Sequence, residues 1–250
     1  MCCHMKTAAY FVVLTISFLF SARADLTMVQ QVERAGSAGN MTIKLKGDKV
    51  RIEASPKVTT ILDGKTGEVT NLMNDQKTVV RISADKVKAV ANMIQKPNAK
   101  QEGAAKTKLT PTGQKETVNG YQTEQYTYDG PNFKATYWIA SNYPDGAAIL
   151  AQLQSIKSEF WNAANPGMPD YRDFPGLPIR TRMTTTKQSQ ATKPGGTTLG
   201  GATEITSTII SANQNPISDS EFTVPSDFKE TKLPDIFDKK NTAPSASPSP

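Results

Sequence analysis

Histidine and cysteine are almost absent from this 250-residue chain, which holds one histidine and two cysteines, all in the run Cys2-Cys3-His4. Lys6 and an apolar stretch from Ala8 to Phe20 follow, then Ser21-Ala22-Arg23-Ala24. Its A-x-A ending is the pattern that signal peptidase cuts after. Residues 1–24 therefore read as a cleaved secretory signal peptide, and the mature chain from Asp25 has neither histidine nor cysteine. Zinc sites draw on those two ligands, and serine or cysteine triads need a histidine base. Both classes are excluded, as are disulfides despite a destination that can be oxidising. No cofactor or metal is expected.

Long apolar runs are missing too. Ala8 to Phe20 falls short of the roughly 20 residues that span a bilayer, and nothing later approaches that length. A lipoprotein signal places cysteine after the small residues, where Asp25 stands here. A dense basic stripe is also lacking. Losing Lys6 and Arg23 takes the formal charge from +6 to +4, and apart from a loose group between Lys96 and Lys115 the lysines are scattered. Nucleic-acid binding needs such a stripe and is rejected. The expected product is soluble and exported, to the periplasm or beyond. Its roughly 226 residues suffice for one domain resting on core burial alone.

Alternating residues dominate what is there. Leu26 to Arg34 reads as a first strand, Gly36 to Asn40 as a turn, and Met41, Ile43 and Leu45 alternate with Thr42, Lys44 and Lys46, which marks a strand with one wet face. Val50 to Ala54, Val58 to Asp63, Glu68 to Met73 and Lys77 to Ile82 continue the meander. Val87, Val90, Met93 and Ile94 recur at helical spacing behind Ser83, whose hydroxyl is expected to cap the helix; Pro97 ends it. Asn98 to Gln114 is either an exposed loop or the start of a poorly buried strand. Asn119-Gly120 marks a hairpin leading into Tyr121 to Asp129, and Phe133 to Ser141 follows. A second helix starts at Pro144-Asp145-Gly146, with Ile149, Leu153, Ile156 and Phe160 on one face, and ends at Trp161. Beyond the proline-rich loop Asn165 to Pro178, Ile179 to Lys187 and Thr203 to Ser211 form a last strand pair around a Pro194-Gly195-Gly196 turn. The fold class is α+β: one antiparallel-sheet domain over 25–232, and a Pro/Ser-rich tail, 233–250, too poor in apolar residues to fold.

Several short patterns invite catalytic readings. Ser83-Ala84-Asp85-Lys86 matches S-x-x-K, Lys65-Thr66-Gly67 matches K-T-G and Ser211-Ala212-Asn213 a loose S-x-N, but the K-T-G element precedes the S-x-x-K helix, against the order such enzymes use. A Ser83/Lys86 dyad is set aside for a helix cap, with Ser83→Ala expected to cost about 0.5–2 kcal/mol. Gly64-Lys65-Thr66 lacks the earlier glycine and the strand-loop-helix setting of a P-loop. Asp170-Tyr171-Arg172-Asp173 reads as a solvated loop rather than an acid–base pair, so no enzyme is expected. The same loop carries Met168, Tyr171, Phe174 and Leu177, the candidate lid residues, since apolar groups on a long loop mark a contact surface.

Methionine adapts to irregular apolar shapes. Met28, Met41, Met73 and Met93, with Leu62, Tyr126, Trp138, Phe160 and Trp161, are the candidate ligand-cavity residues. Ordinary core filling is the alternative for the same set.

Asn119-Gly120-Tyr121 with Tyr126, Tyr137-Trp138-Ile139-Ala140, Phe174-Pro175-Gly176-Leu177-Pro178 and Phe222-Thr223-Val224-Pro225-Ser226 resemble an uncharacterised family of exported bacterial domains. That family is similar in layout to the lipoprotein carriers and receptors of the Gram-negative periplasm. The resemblance implies a curved antiparallel half-barrel with two helices over its concave face and a cavity for acyl chains or another apolar molecule. No arginine matches the carriers' functional one; Arg34, Arg51 and Arg81 are candidates by sheet position. The expected function is binding or carrying an apolar ligand. A structural or interaction protein of the envelope, with a filled core and a protein partner, is the alternative.

Overall fold

The computed structural model describes residues 24–95, 108–130, 133–156, 168–185 and 204–231. The first meander is β1 (Leu26–Arg34), β2 (Ser37–Lys46), β3 (Lys49–Ser55), β4 (Val58–Asp63), β5 (Val69–Met73) and β6 (Thr78–Ile82), followed by α1 (Ala84–Gln95). The second is β7 (Thr110–Val118), β8 (Tyr121–Asp129), β9 (Phe133–Ala140), α2 (Gly146–Gln154), β10 (Leu177–Thr185) and β11 (Glu204–Asn213). A two-residue strand, β12 (Lys229–Glu230), closes the order. The twelve strands among the described residues form one open sheet, β12-β6-β5-β4-β3-β2-β1-β11-β10-β9-β8-β7. Every pairing is antiparallel except β12 with β6. The two meanders therefore join where β1 pairs with β11.

Alternation turns one row of residues toward the same side across six strands. Leu26 faces Leu45, Leu45 faces Val50, Val50 faces Leu62, Leu62 faces Val69 and Val69 faces Ile82. Val87 of α1 packs on this row, and Ile149 and Leu153 of α2 belong to the same core. Burying one such side chain contributes about 1.5–3 kcal/mol, so this row is a main part of the core that the helices help to cover. The opposite face carries Ile61, Leu72 and Val79, covered by Ile217 and Phe222 from a strap, residues 214–228, that runs from β11 to β12. Strap and sheet are also tied by charge: Lys44 reaches Glu221 at 2.9 Å and Lys46 reaches Asp219 at 2.9 Å.

Three local readings need correction. The first hairpin turns at Ala35-Gly36, both at positive φ (49° and 79°), so β2 begins at Ser37 rather than Met41. Its first four residues pair with β1 although they are exposed, which erases the alternation that marks a buried strand. The Ser83 hydroxyl makes no capping bond; its carbonyl accepts from Val87 N–H at 2.9 Å. α2 stops at Gln154, because Ser155 N–H bonds back to Gln152 and Ala151 carbonyls and Ser155 Oγ donates to Gln152 O at 2.7 Å. Phe160, Trp161, the Pro194 turn and the tail 233–250 lie outside the described residues.

Of the stretch Asn98 to Gln114, Thr110 onward is strand, β7 being exposed along all but its last residue, and 98–107 lie outside the described residues. Asn119-Gly120 makes the hairpin turn expected of it, both residues at positive φ (50° and 83°).

Candidate functional site

A cavity of about 910 Å³ lies on the helix-bearing face where the two meanders meet. Its size falls within the roughly 300–1,000 Å³ of small-molecule sites. Alternate residues of the strands make its floor: Met28, Gln30 and Val32 from β1, Met41 and Ile43 from β2, Ile205, Ser207 and Ile209 from β11. Thr181 and Met183 of β10 and Tyr137 of β9 extend it. Register explains the grouping, since Gln30 faces Met41 on one side and Ile209 on the other, while Thr181 bridges Ser207 and Tyr137.

The wall comes from the end of α2, with Leu153 and Gln154, from Ile156 just beyond it, and from the proline-rich loop. Asp170 accepts from Arg172 N–H at 2.9 Å and starts a single 3-10 turn over Tyr171–Asp173. Gln154 Nε2 donates to Tyr171 O at 3.2 Å and ties that turn to the helix. The turn projects Met168, Tyr171, Phe174 and Leu177 into the lining. All four loop residues singled out from sequence thus stand together at the cavity.

The other candidates divide. Met28 and Met41 line the cavity, and with Met168 and Met183 they bring four methionines to one surface. Leu62 is buried in the row beneath α1, and Met73 lies half-buried at the far end of β5; neither reaches the lining. Tyr126 packs beside Tyr128 and Phe133. Trp138 follows Tyr137 in the strand and so points the other way. Its indole N–H donates to Glu116 at 2.7 Å, with the Arg180 and Arg182 guanidinium groups 5.6 and 5.5 Å from its rings. Met93 sits in α1 with its side chain outside the described residues, as are Phe160 and Trp161.

The arginines serve elsewhere. Arg51 binds Glu53 and the Glu221 carbonyl under the strap, Arg81 binds Glu68, and Arg34 is exposed at the end of β1. Thr181, Ile205 and Ser207 carry no sequence signal beyond alternation, Tyr137 stands out only within its aromatic motif and Met183 only as a methionine, and the pairings of β1, β11, β10 and β9 assemble them.

Polar chemistry in the cavity is sparse. Ser207 Oγ donates to Gln30 Oε1 at 2.8 Å, and Gln30 Nε2 lies 3.6 Å from the Met28 sulfur. Asp170 and Arg172 are the only charged side chains of the described lining and are bonded to each other. The arginine's hydrogen bonds hold the Asp170 carboxyl below its usual range. Tyr137 differs: its residue is 3% exposed, and its hydroxyl has no hydrogen-bond partner. Burial, then the nearby Tyr171 and Tyr128 phenols, push its pKa upward, so it stands as a neutral donor. An unsatisfied buried hydroxyl costs about 1–3 kcal/mol.

The rival catalytic motifs are local structure. Lys65 and Thr66 donate their backbone N–H groups to Asp63 Oδ1, each at 2.9 Å, and Gly67 closes the turn at φ 75°. Ser83 and Lys86 are both exposed and share no hydrogen bond. With no capping bond to lose, Ser83→Ala is expected to shift stability by no more than about 0.5 kcal/mol in urea denaturation, less than the sequence reading implies.

No curated protein matches the chain. Among solved structures, one titled "Structure of PNGF-II in P21 space group" is similar at 12% identity and a TM-score of 0.37, covering 84% of this chain and 32% of that one. The chain thus spans about a third of PNGF-II. A DUF1329 family protein from Desulfovibrio piger is similar at 8% identity and a TM-score of 0.30, covering 82% and 91%. Residues 23–228 match the family described as "Domain of unknown function (DUF4412)", and the chain belongs to that family.

Proposed function

We infer that this DUF4412 protein is exported, cleaved after Ala24, and binds or carries an apolar, acyl- or lipid-like ligand without catalysis. In this reading the open sheet is bent as a half-barrel and the ligand lies between its concave face and α2. The carrying observation is the cavity itself: four methionines with isoleucine, leucine and phenylalanine side chains, and one internally paired charge couple. Methionine-rich linings tolerate ligands of irregular shape. Asp25, the first residue after the proposed cut, already accepts from Ile217 N–H at 2.7 Å, which supports a mature fold that starts there. Periplasmic placement rests on the same leader sequence.

A second reading, an envelope interaction protein with a filled core, draws on the same lining, since Met28, Ile43, Leu153, Leu177 and Ile209 belong to the buried core as well as to the cavity wall.

Native mass spectrometry of detergent-free protein, with organic extraction of whatever co-purifies, separates the two. A reproducible adduct identified as an acyl lipid or other apolar molecule is the expected result. An apo mass that persists after incubation with envelope lipid extract would overturn the binder reading in favour of the interaction protein.

A further inference from the structure

Resting on that reading, we propose that the Tyr137 hydroxyl is the polar anchor of the site and selects an uncharged ligand with an oxygen acceptor, such as the carbonyl of an acyl ester. Two observations carry it. The first is the unpartnered hydroxyl on a nearly fully buried side chain of the cavity floor; buried polar groups in folded proteins are paired in the great majority of cases. The Tyr171 and Tyr128 phenols lie nearby without bonding it, and the Ser207 hydroxyl donates to Gln30 instead.

The second is the charge of the lining. Its one described cation, Arg172, is engaged by Asp170, so a carboxylate drawn into the apolar interior would meet no free counter-charge, and burying an unpaired charge is far costlier than burying a carbonyl. An ester carbonyl needs one donor and brings no charge, which is what Tyr137 supplies.

The geometry also says how the ligand arrives. Phe174 stands edge-on to Tyr137 with ring centroids 5.0 Å apart, and Tyr171 packs 5.7 Å from Phe174. The hydroxyl has no surface open to solvent, so a ligand oxygen reaches it when one of the rings around it, Phe174, Tyr171 or Tyr128, shifts aside. The loop then covers the carbonyl end of the ligand while the chain lies along the methionines.

The test uses N-phenyl-1-naphthylamine as a fluorescent apolar probe, displaced by methyl myristate, myristate or tetradecane delivered from cyclodextrin. Wild type is expected to bind the ester about tenfold more tightly than the alkane, one hydrogen bond's worth, and more tightly than the carboxylate. Tyr137→Phe is expected to lose that ester preference, to keep probe and alkane affinity within about twofold, and to melt no lower than wild type, since the deleted hydroxyl had no partner. Probe binding without any ester preference in wild type overturns the anchor and leaves the cavity reading standing. So does a Tyr137→Phe protein that keeps the full preference. Failure of the probe to bind either protein overturns both.

Discussion

Thr181→Trp is expected to weaken binding of an apolar fluorescent probe at least tenfold while moving the melting temperature by no more than about 2 °C, a small fraction of a typical domain's stability. Thr181 is half-buried in the middle of the cavity floor, between Ser207 and Tyr137, and no side-chain hydrogen bond holds it. An indole built there has space in front of it, so it occupies the ligand's volume without forcing the packed row under α1. Thr181→Val, which keeps the volume, is expected to bind like wild type. Titration of the probe with both variants decides the matter: unchanged affinity in the tryptophan variant would place binding somewhere other than this cavity.

The second large effect concerns the strap. Phe222→Ala is expected to lower unfolding free energy by about 3–5 kcal/mol, the range for emptying an aromatic site in a core, against a typical total of about 5–15 kcal/mol. Phe222 is buried with Ile61, Leu72, Val79 and Ile217 on the face opposite the cavity, beside Val224 and Phe228. Urea denaturation reads the change directly, and a loss under about 1 kcal/mol would mean the strap lies on the sheet without supporting it.

Acid should loosen the same strap. Hydrogen bonds from Lys46, Lys44 and Lys77 hold the Asp219, Glu221 and Asp227 carboxyls below their usual values. Groups depressed in this way add stability above the ordinary carboxylate range and lose it as the pH falls through that range toward the folded values. Glu221→Gln is therefore expected to be less stable than wild type at pH 7 and equal to it near pH 3. An equal difference at both pH values would assign the effect to packing instead.

How far these features can be read from residues depends on what each segment buries. The second half of β2 declares itself because one face is buried and the other polar, so Ile43 and Leu45 alternate with Lys44 and Lys46. By contrast, β4 to β6 also bury Ile61, Leu72 and Val79 under the strap and are legible as short apolar runs between turns. β7 gives no such pattern, since Thr110 to Thr117 are exposed on both faces, and it stays indistinguishable from a loop until it pairs with β8. Alternation also leaves the choice of face open: Tyr137 and Trp138 are adjacent and equally aromatic, yet only Tyr137 meets the cavity. The loop residues Met168, Tyr171, Phe174 and Leu177 stand out because apolar side chains in a polar, proline-rich connection have no local reason to be there. The strap announces only its aromatic and proline content, because its place on the far face depends on partners distant in the chain.

The seam between β1 and β11 sets the order in which the molecule can be built. Thr27 pairs with Asn213 and Arg34 with Ile205, so the first strand of the fold waits for one made almost at the end. Contacts this far apart in sequence slow folding, because the closure entropy is lost before the pairing compensates for it. Until β11 emerges, β1 offers a free edge along nine residues, open to pairing with other chains. A newly made molecule therefore stays incomplete until β11 is available, and its vulnerable interval ends in a single late step, the zipping of β1 to β11.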